Sequence, residues 1–81
     1  MITSGQVRAA RALLGWTQVQ LAQAAGIGEI SVKNIEREKS DARTSTLQKI
    51  QRAFEKAGVQ FIPDRSFSLD GGPGVRLSPR R

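Results

Sequence analysis

The most informative segment of the chain is 18–37, QVQLAQAAGIGEISVKNIER, because small and apolar residues recur there at helical spacing on both sides of a glycine. The pattern predicts a first helix over Gln18–Ala25. The residues that this helix should bury are Leu21, Ala22 and Ala25. Gly26 then ends it, since a residue just past a helix end commonly takes a left-handed backbone, which glycine adopts without a side-chain penalty. Two short helices joined by a tight turn follow from this stretch.

The second of these helices, about residues 29–37, has two sides of different character. Helical spacing places one set inward: Val32, Ile35 and Glu36. The complementary set must face outward: Glu29, Ile30, Lys33 and Asn34. This outer face combines an acid, a branched apolar side chain, a cation and an amide, so it offers four different kinds of contact.

Composition limits the kind of protein. The chain has 81 residues, a size at which one core is barely sufficient and association between copies often helps. Its 13 Lys and Arg against 7 Asp and Glu give a net charge of +6, which favours a polyanionic partner. Cysteine and histidine are both absent, which excludes disulfides, cysteine nucleophiles, Ser–His catalysis and nearly every structural zinc site. We therefore expect no catalytic residue, no metal and no cofactor.

The sequence contains no apolar run of the length that a signal peptide or a membrane span needs. We expect a soluble, cytoplasmic protein without a membrane partner.

The residues before the central stretch predict another helix. Thr3 and Gln6 have the spacing of a capping box, so the helix should begin there. Its apolar residues recur at helical spacing: Val7, Ala10, Leu13 and Leu14. Gly15 closes the helix ahead of Trp16, the only tryptophan, which we expect to anchor the core.

A fourth helix is predicted after residue 43. Thr44 or Ser45 should cap it, with Gln48 as the reciprocal partner of Ser45. Its apolar stripe consists of Leu47, Ile50, Ala53, Phe54 and Ala57. Gly58 should end it. The polar residues off this stripe are expected to form a solvated outer face: Gln48, Lys49, Gln51, Arg52, Glu55 and Lys56.

Beyond Gly58 the composition shifts to branched and aromatic residues, which divides the chain into a domain over 1–58 and an extension over 59–81. Residues 59–62 are predicted to form a strand. Residues 66–69 and 75–77 also alternate polar and apolar side chains, and the glycine-rich turn between them indicates a small antiparallel ribbon.

With eight residues in register, the chain resembles the XRE family of helix-turn-helix regulators, to which the phage repressors belong. These residues are Thr17, Gln18, Leu21, Ala22, Gly26, Val32, Ile35 and Glu36. The resemblance covers about residues 3–58 and includes RAARALLGWTQ, LAQAAGI and TLQKIQRAFEKAGV. It implies an all-α fold, a compact bundle of four or five helices, here with a short C-terminal β extension. It also implies that the protein binds double-stranded DNA.

The resemblance assigns the base-reading role to the outer face of the second motif helix, which carries Glu29, Ile30, Lys33 and Asn34. A nine-residue helix is about 13 Å long and fits a major groove about 12 Å wide. By their chemistry, Asn34 could hold adenine, Lys33 guanine and Ile30 a thymine methyl group. Glu29 could accept from cytosine N4 or exclude wrong sites.

The resemblance also marks residues for the DNA backbone. Thr17 and Gln18 match a phosphate contact at a helix start, where free N–H groups and the helix dipole favour an anion. Arg37, Lys39 and Arg43 match positions that grip the backbone after the second motif helix.

One further pair is architectural. Arg11 matches an arginine that in relatives pairs with the glutamate corresponding to Glu36, which would fix the angle of the reading helix. Three residues depart from the family pattern. Gly28 stands where Ser or Thr often caps, Glu38 where glycine usually ends the helix, and Ala42 where proline often stiffens the loop. We therefore expect a less ordered start of the reading helix and a weaker turn at Glu38.

The expected function is that of a sequence-specific transcriptional regulator, a repressor by family habit, without a small-molecule effector. It should bind a palindromic operator as a homodimer, with 59–81 as the candidate dimer element. The alternative is a protein-interaction module, such as an antitoxin or an anti-activator. A hydrolase using Glu36, Glu38 and Asp41 is disfavoured, because these acids have no histidine partner.

Overall fold

The computed structural model describes residues 2–38, 43–62 and 73–78. In these ranges the chain forms four α-helices followed by two β-strands: α1 Ser4–Leu14, α2 Gln18–Ala25, α3 Glu29–Glu36, α4 Thr44–Lys56, β1 Val59–Ile62 and β2 Gly74–Leu77. The strands form a two-stranded antiparallel sheet. This arrangement is compatible with an all-α helix-turn-helix domain that carries a small sheet. None of the described helices has both the length and the apolar character needed to cross a membrane.

The first two helices begin with the same device. Thr3 Oγ1 accepts from the Gln6 N–H at 3.1 Å, and Gln6 Oε1 accepts from the Thr3 N–H at 2.9 Å, which confirms the predicted capping box. Thr17 and Gln20 form a second box, with distances of 3.0 and 2.8 Å. Both helices end as predicted, with the glycine that follows in the left-handed region: Gly15 at φ +68° and Gly26 at φ +72°.

The predicted cap of α4 is wrong. The helix begins at Thr44, so Arg43 occupies the cap position, and no side chain of the described residues caps the helix. Ser45 and Gln48 therefore lie inside the helix instead of forming a capping box. Ala57, predicted as part of the apolar stripe, is exposed because it is the C-cap residue.

All four helices and β1 contribute to one core. Its buried members are Ile2, Val7, Ala10, Leu21, Ala22, Val32, Ile35, Ile50, Phe54 and Val59. Trp16 packs against this core as expected, stacked on Phe54 with ring centroids 5.6 Å apart. Phe54 also contacts the ring of Phe61 in β1, at 6.0 Å. Because Val59 is fully buried and Phe61 packs on the core, β1 is built onto the helical bundle.

The two strands pair in a register that the sequence did not predict. Val59 lies opposite Leu77 and Phe61 opposite Val75, so 74–77 pairs with 59–62. The predicted strand 66–69 lies outside the described residues. We call the pair of strands β1 and β2 the ribbon. The buried Gln6 side chain contacts both strands at one end of it. Its Nε2 donates to the carbonyl oxygens of Ile62 at 3.1 Å and Gly74 at 2.9 Å. Gln6 thus joins the start of α1 to the ribbon.

Candidate nucleic-acid interface

Helix α3 has one buried side and one exposed side. Val32, Ile35 and Glu36 are buried, as predicted from helical spacing. The opposite side carries the four candidate base-reading residues: Glu29, Ile30, Lys33 and Asn34. Ile30 is 68% exposed, the largest fraction among the large apolar side chains that the structure describes, whereas Lys33 and Asn34 are partly covered. The structure therefore gathers these four residues on one accessible face.

Two of these residues interact with each other. Lys33 Nζ lies 3.5 Å from Glu29 Oε2, one helical turn away, and the two side chains are 39% and 43% exposed. An exposed pair of this kind contributes about 0–1 kcal/mol, so it can be exchanged for other contacts at small cost. The pair also offsets the negative charge of Glu29, which lowers the repulsion that a phosphate would meet near this face.

The two ends of α3 show the departures noted in the sequence. Gly28 occupies the N-cap position with φ −79° and ψ 153°, and within the described part of the chain no side chain bonds to the free N–H groups there. At the other end the chain turns despite the lack of glycine, and the weaker turn expected there stays a prediction. Glu38 itself takes the left-handed conformation, with φ +56°, and is the only non-glycine residue to do so among those the structure describes.

The carboxylate of Glu36 connects three helices. Arg11 on α1 binds it with two parallel hydrogen bonds, Nε to Oε2 at 2.7 Å and Nη2 to Oε1 at 3.0 Å. Gln18 at the start of α2 donates from Nε2 to Oε1 at 3.0 Å. Arg8 on α1 donates to the backbone carbonyl oxygen of Glu36. These contacts fix the end of α3 relative to α1 and α2.

The charges in this cluster support one another. Burial alone would raise the pKa of Glu36, but the hydrogen bonds from Arg11 and Gln18 and the charges of Arg11 and Arg8 outweigh it, so the pKa is lowered. The hydrogen bond to Glu36 in turn raises the pKa of Arg11 against the opposing effect of burial. Both groups therefore stay ionised near neutral pH.

The start of α2 offers donors to an anion. The capping box uses the N–H groups of Thr17 and Gln20, which leaves those of Gln18 and Val19 without a hydrogen-bond partner within the described residues. The Gln18 side-chain amide gives one N–H to Glu36 and keeps its second. These groups lie at the positive end of the helix dipole, where a phosphate is favoured.

The remaining candidates are distributed around the end of α3. Arg37 is exposed directly after the helix, and Arg43 is exposed at the start of α4. Lys39 and Ala42 lie outside the described residues. Arg8 was not singled out in the sequence, although its spacing of three from Arg11 puts both on one face of α1.

The described residues contain no cluster of His, Cys, Asp and Glu that could hold a metal ion. A helix-turn-helix family model, that of the XRE-like proteins, matches residues 7–59, which is more than half of the chain and includes α2, α3 and α4. The comparison with curated proteins gave no match. From the family match over this bundle, the chain belongs to the XRE-like family of helix-turn-helix proteins, which are DNA-binding transcription regulators.

Proposed function

We propose that this protein is a sequence-specific repressor that places α3 in the major groove of a palindromic operator. The observation that carries the proposal is the exposed face of α3, on which four chemically different side chains lie together while the Glu36 network holds the other side. Eight residues of helix are about 12 Å long, which matches the width of the major groove.

Each side chain on this face has a base-edge partner by its chemistry. Asn34 can hold adenine through N6 and N7, and Lys33 can donate to guanine O6 and N7. The exposed Ile30 side chain can cover a thymine methyl group. Glu29 can accept from cytosine N4, or it can reject operators that offer no donor at that position.

Backbone contacts would position this face on the duplex. In the proposal, Thr17 and the free N–H groups at the start of α2 bind one phosphate, and the spare N–H of Gln18 joins them. Arg37, Lys39 and Arg43 bind phosphates beyond the other end of α3. Because Glu36 holds Gln18, the phosphate contact and the reading helix share one support.

We propose that two copies bind together, because a single small module buries little area on DNA. Half-sites would then lie about 10 base pairs apart or a multiple of this.

The ribbon of β1 and β2 is the candidate dimer element. The Ser78 N–H donates to the Gly58 carbonyl oxygen at 2.6 Å. Hydrogen-bonded and non-hydrogen-bonded residue pairs alternate along two antiparallel strands. The backbone N–H and C=O groups of Val75 and Leu77 therefore point away from β1. Leu77 is also 52% exposed.

The dimer is tested by sedimentation velocity on the full chain. Deleting the extension would also remove Val59 and Phe61 from the core, so a point change is the better tool. Leu77→Lys should shift the protein to monomers, whereas Leu13→Lys, a matched change at a residue 43% exposed on α1, should not. A Leu77→Lys variant that still sediments as a dimer would show that the ribbon does not form the dimer interface.

DNA reading is tested by selecting bound duplexes from a random pool with the full chain and with two variants. The wild type should enrich a palindrome. Asn34→Ala should relax the base preference at one base pair of each half-site by about 1–3 kcal/mol. Arg37→Ala should weaken binding to all duplex sequences alike. A pool that remains random after selection would contradict the proposed DNA reading. The proposal also includes no small-molecule effector, and it places the protein on the nucleoid.

A further inference from the structure

A shallow groove lies between the C-terminal end of α2 and the second half of α4. Its floor consists of small apolar residues, Ala24, Ala25 and Ala53. Its rim consists of charged residues of α4, Lys49, Arg52, Glu55 and Lys56. None of the lining residues comes from α3, so the groove is separate from the face that the proposed function uses.

The rim is strongly positive. Lys49, Arg52 and Lys56 are spaced by three and four positions, so they follow one face of α4, and all three are exposed. Neither of the two ion pairs found among the described residues involves them. The single acid, Glu55, accepts a hydrogen bond from Gln51 at 3.0 Å. The groove thus combines three cations and one carboxylate with an apolar floor.

We propose that this groove binds an acidic amphipathic helix of a partner protein. The distance from Lys49 to Lys56 along α4 is about 10 Å, two helical turns, so carboxylates on successive turns of a partner helix could meet the cations. The alanine floor lets a partner backbone approach closely and covers small apolar side chains on the same helix face.

DNA is a poorer occupant of this groove. A sugar–phosphate backbone is dominated by charged phosphates and offers little apolar surface to cover the alanine floor. The proposed phosphate contact at Gln18 also lies at the other end of α2, about 10 Å along its axis from Ala25. An acidic partner could therefore be held while α3 lies on a duplex, and the protein would bring a second protein to its binding site. The groove inference does not depend on the proposed operator.

The test selects peptides from a random phage-displayed library on the immobilised full chain. The dissociation constant of the most enriched peptide is then measured for three proteins: the wild type, Lys49→Glu with Lys56→Glu, and the control Arg43→Glu with Arg76→Glu. Each double change lowers the net charge from +6 to +2, so both have the same overall electrostatic effect. Amide chemical shifts locate the bound peptide.

Acidic amphipathic peptides should be enriched, and the groove variant should bind them at least about tenfold more weakly, with a much smaller effect of the control. The amide shifts should concentrate at Ala24, Ala25 and Ala53. The milder pair Lys49→Gln with Lys56→Gln, checked for folding by Trp16 fluorescence, should weaken binding in the same direction. Three results would each overturn the inference: no acidic enrichment, equal weakening of peptide binding by both double variants, or a groove variant that loses random-sequence duplex more strongly than the charge-matched control, which lacks the proposed phosphate contact Arg43.

Discussion

Gln18 and Glu36 are joined by a hydrogen bond of 3.0 Å from Gln18 Nε2 to Glu36 Oε1, which ties the start of α2 to the end of α3. The same carboxylate accepts two hydrogen bonds from Arg11. Since Gln18 is a proposed phosphate contact and α3 the proposed reading helix, this cluster sets the geometry between backbone and base contacts. Changes to it should affect both stability and DNA recognition.

Removing either partner of the Arg11–Glu36 pair should destabilise the fold, but unequally. The Glu36 side chain is 5% exposed and that of Arg11 is 24% exposed. Arg11→Met leaves a buried carboxylate without its main counter-charge and should cost about 3 kcal/mol of unfolding free energy. Glu36→Gln leaves an arginine that can reach water and should cost about 1–2 kcal/mol. Urea unfolding followed by Trp16 fluorescence measures both, and a larger loss for Glu36→Gln would contradict this reasoning.

The same pair predicts a dependence of stability on pH. The folded state lowers the pKa of Glu36 below its ordinary 4.5, so the folded protein takes up this proton less readily than the unfolded chain. The stabilisation is therefore complete well above pH 4.5 and is lost as the pH falls through 4.5 towards the lowered folded value. The difference in unfolding free energy between wild type and Glu36→Gln should shrink as the pH falls. A difference that is constant with pH would show that Glu36 does not titrate as described.

Glu38→Gly should stabilise the protein. Glu38 has φ +56°, a region that costs an ordinary L-residue about 1–2 kcal/mol and glycine nothing. After the greater chain entropy of glycine in the unfolded state is subtracted, a gain of about 0.5–1 kcal/mol is expected. The control is Arg37→Gly, since Arg37 has φ −92° and should lose stability on the same change. A lower melting temperature for Glu38→Gly would contradict the left-handed backbone at residue 38.

Gly28→Ser should strengthen the start of α3. Gly28 has an extended backbone, and a Cβ there would meet no atom within 4 Å, so a serine can cap the helix without strain. The expected gain is about 0.3 kcal/mol, because glycine is already a tolerable N-cap residue. Gly26→Ser is the matched change at a residue with φ +72° and should be destabilising. The melting temperatures of both variants measure these opposite effects, and a lower melting temperature for Gly28→Ser would contradict the N-cap position of residue 28.

Much of the helical layout could be predicted because its causes are local. The capping box at Thr3 and the turn glycine at Gly26 act within a few residues, and helical periodicity separates Val32 from Ile30. The start of α4 could not be predicted in this way. Three hydroxyl residues, 44–46, follow one another there, and each could act as a local cap. The residue at which the helix begins therefore depends on how the helix packs on the core.

The support of the candidate site depends on contacts between distant residues. Gln6 and Gly74 are 68 positions apart, and Arg8 and Glu36 are 28 apart. No local pattern encodes such a contact, because it arises only once the elements have packed. The resemblance to a family marked the Arg11–Glu36 pair, but it did not indicate the Gln6 contact with the ribbon or the support that Glu36 gives to Gln18.

The exposed face of α3 is proposed to read base edges in a duplex. The most direct measurement is a competition titration of the selected operator against a scrambled duplex of equal length, for wild type and Asn34→Ala, over a series of salt concentrations. With about five phosphates neutralised per half-site, the logarithmic salt slope should be roughly −4 to −5 per subunit in both proteins. The operator should compete far better than the scrambled duplex for wild type, and Asn34→Ala should reduce this advantage without changing the slope. Equal competition by the two duplexes for the wild-type protein would contradict the account.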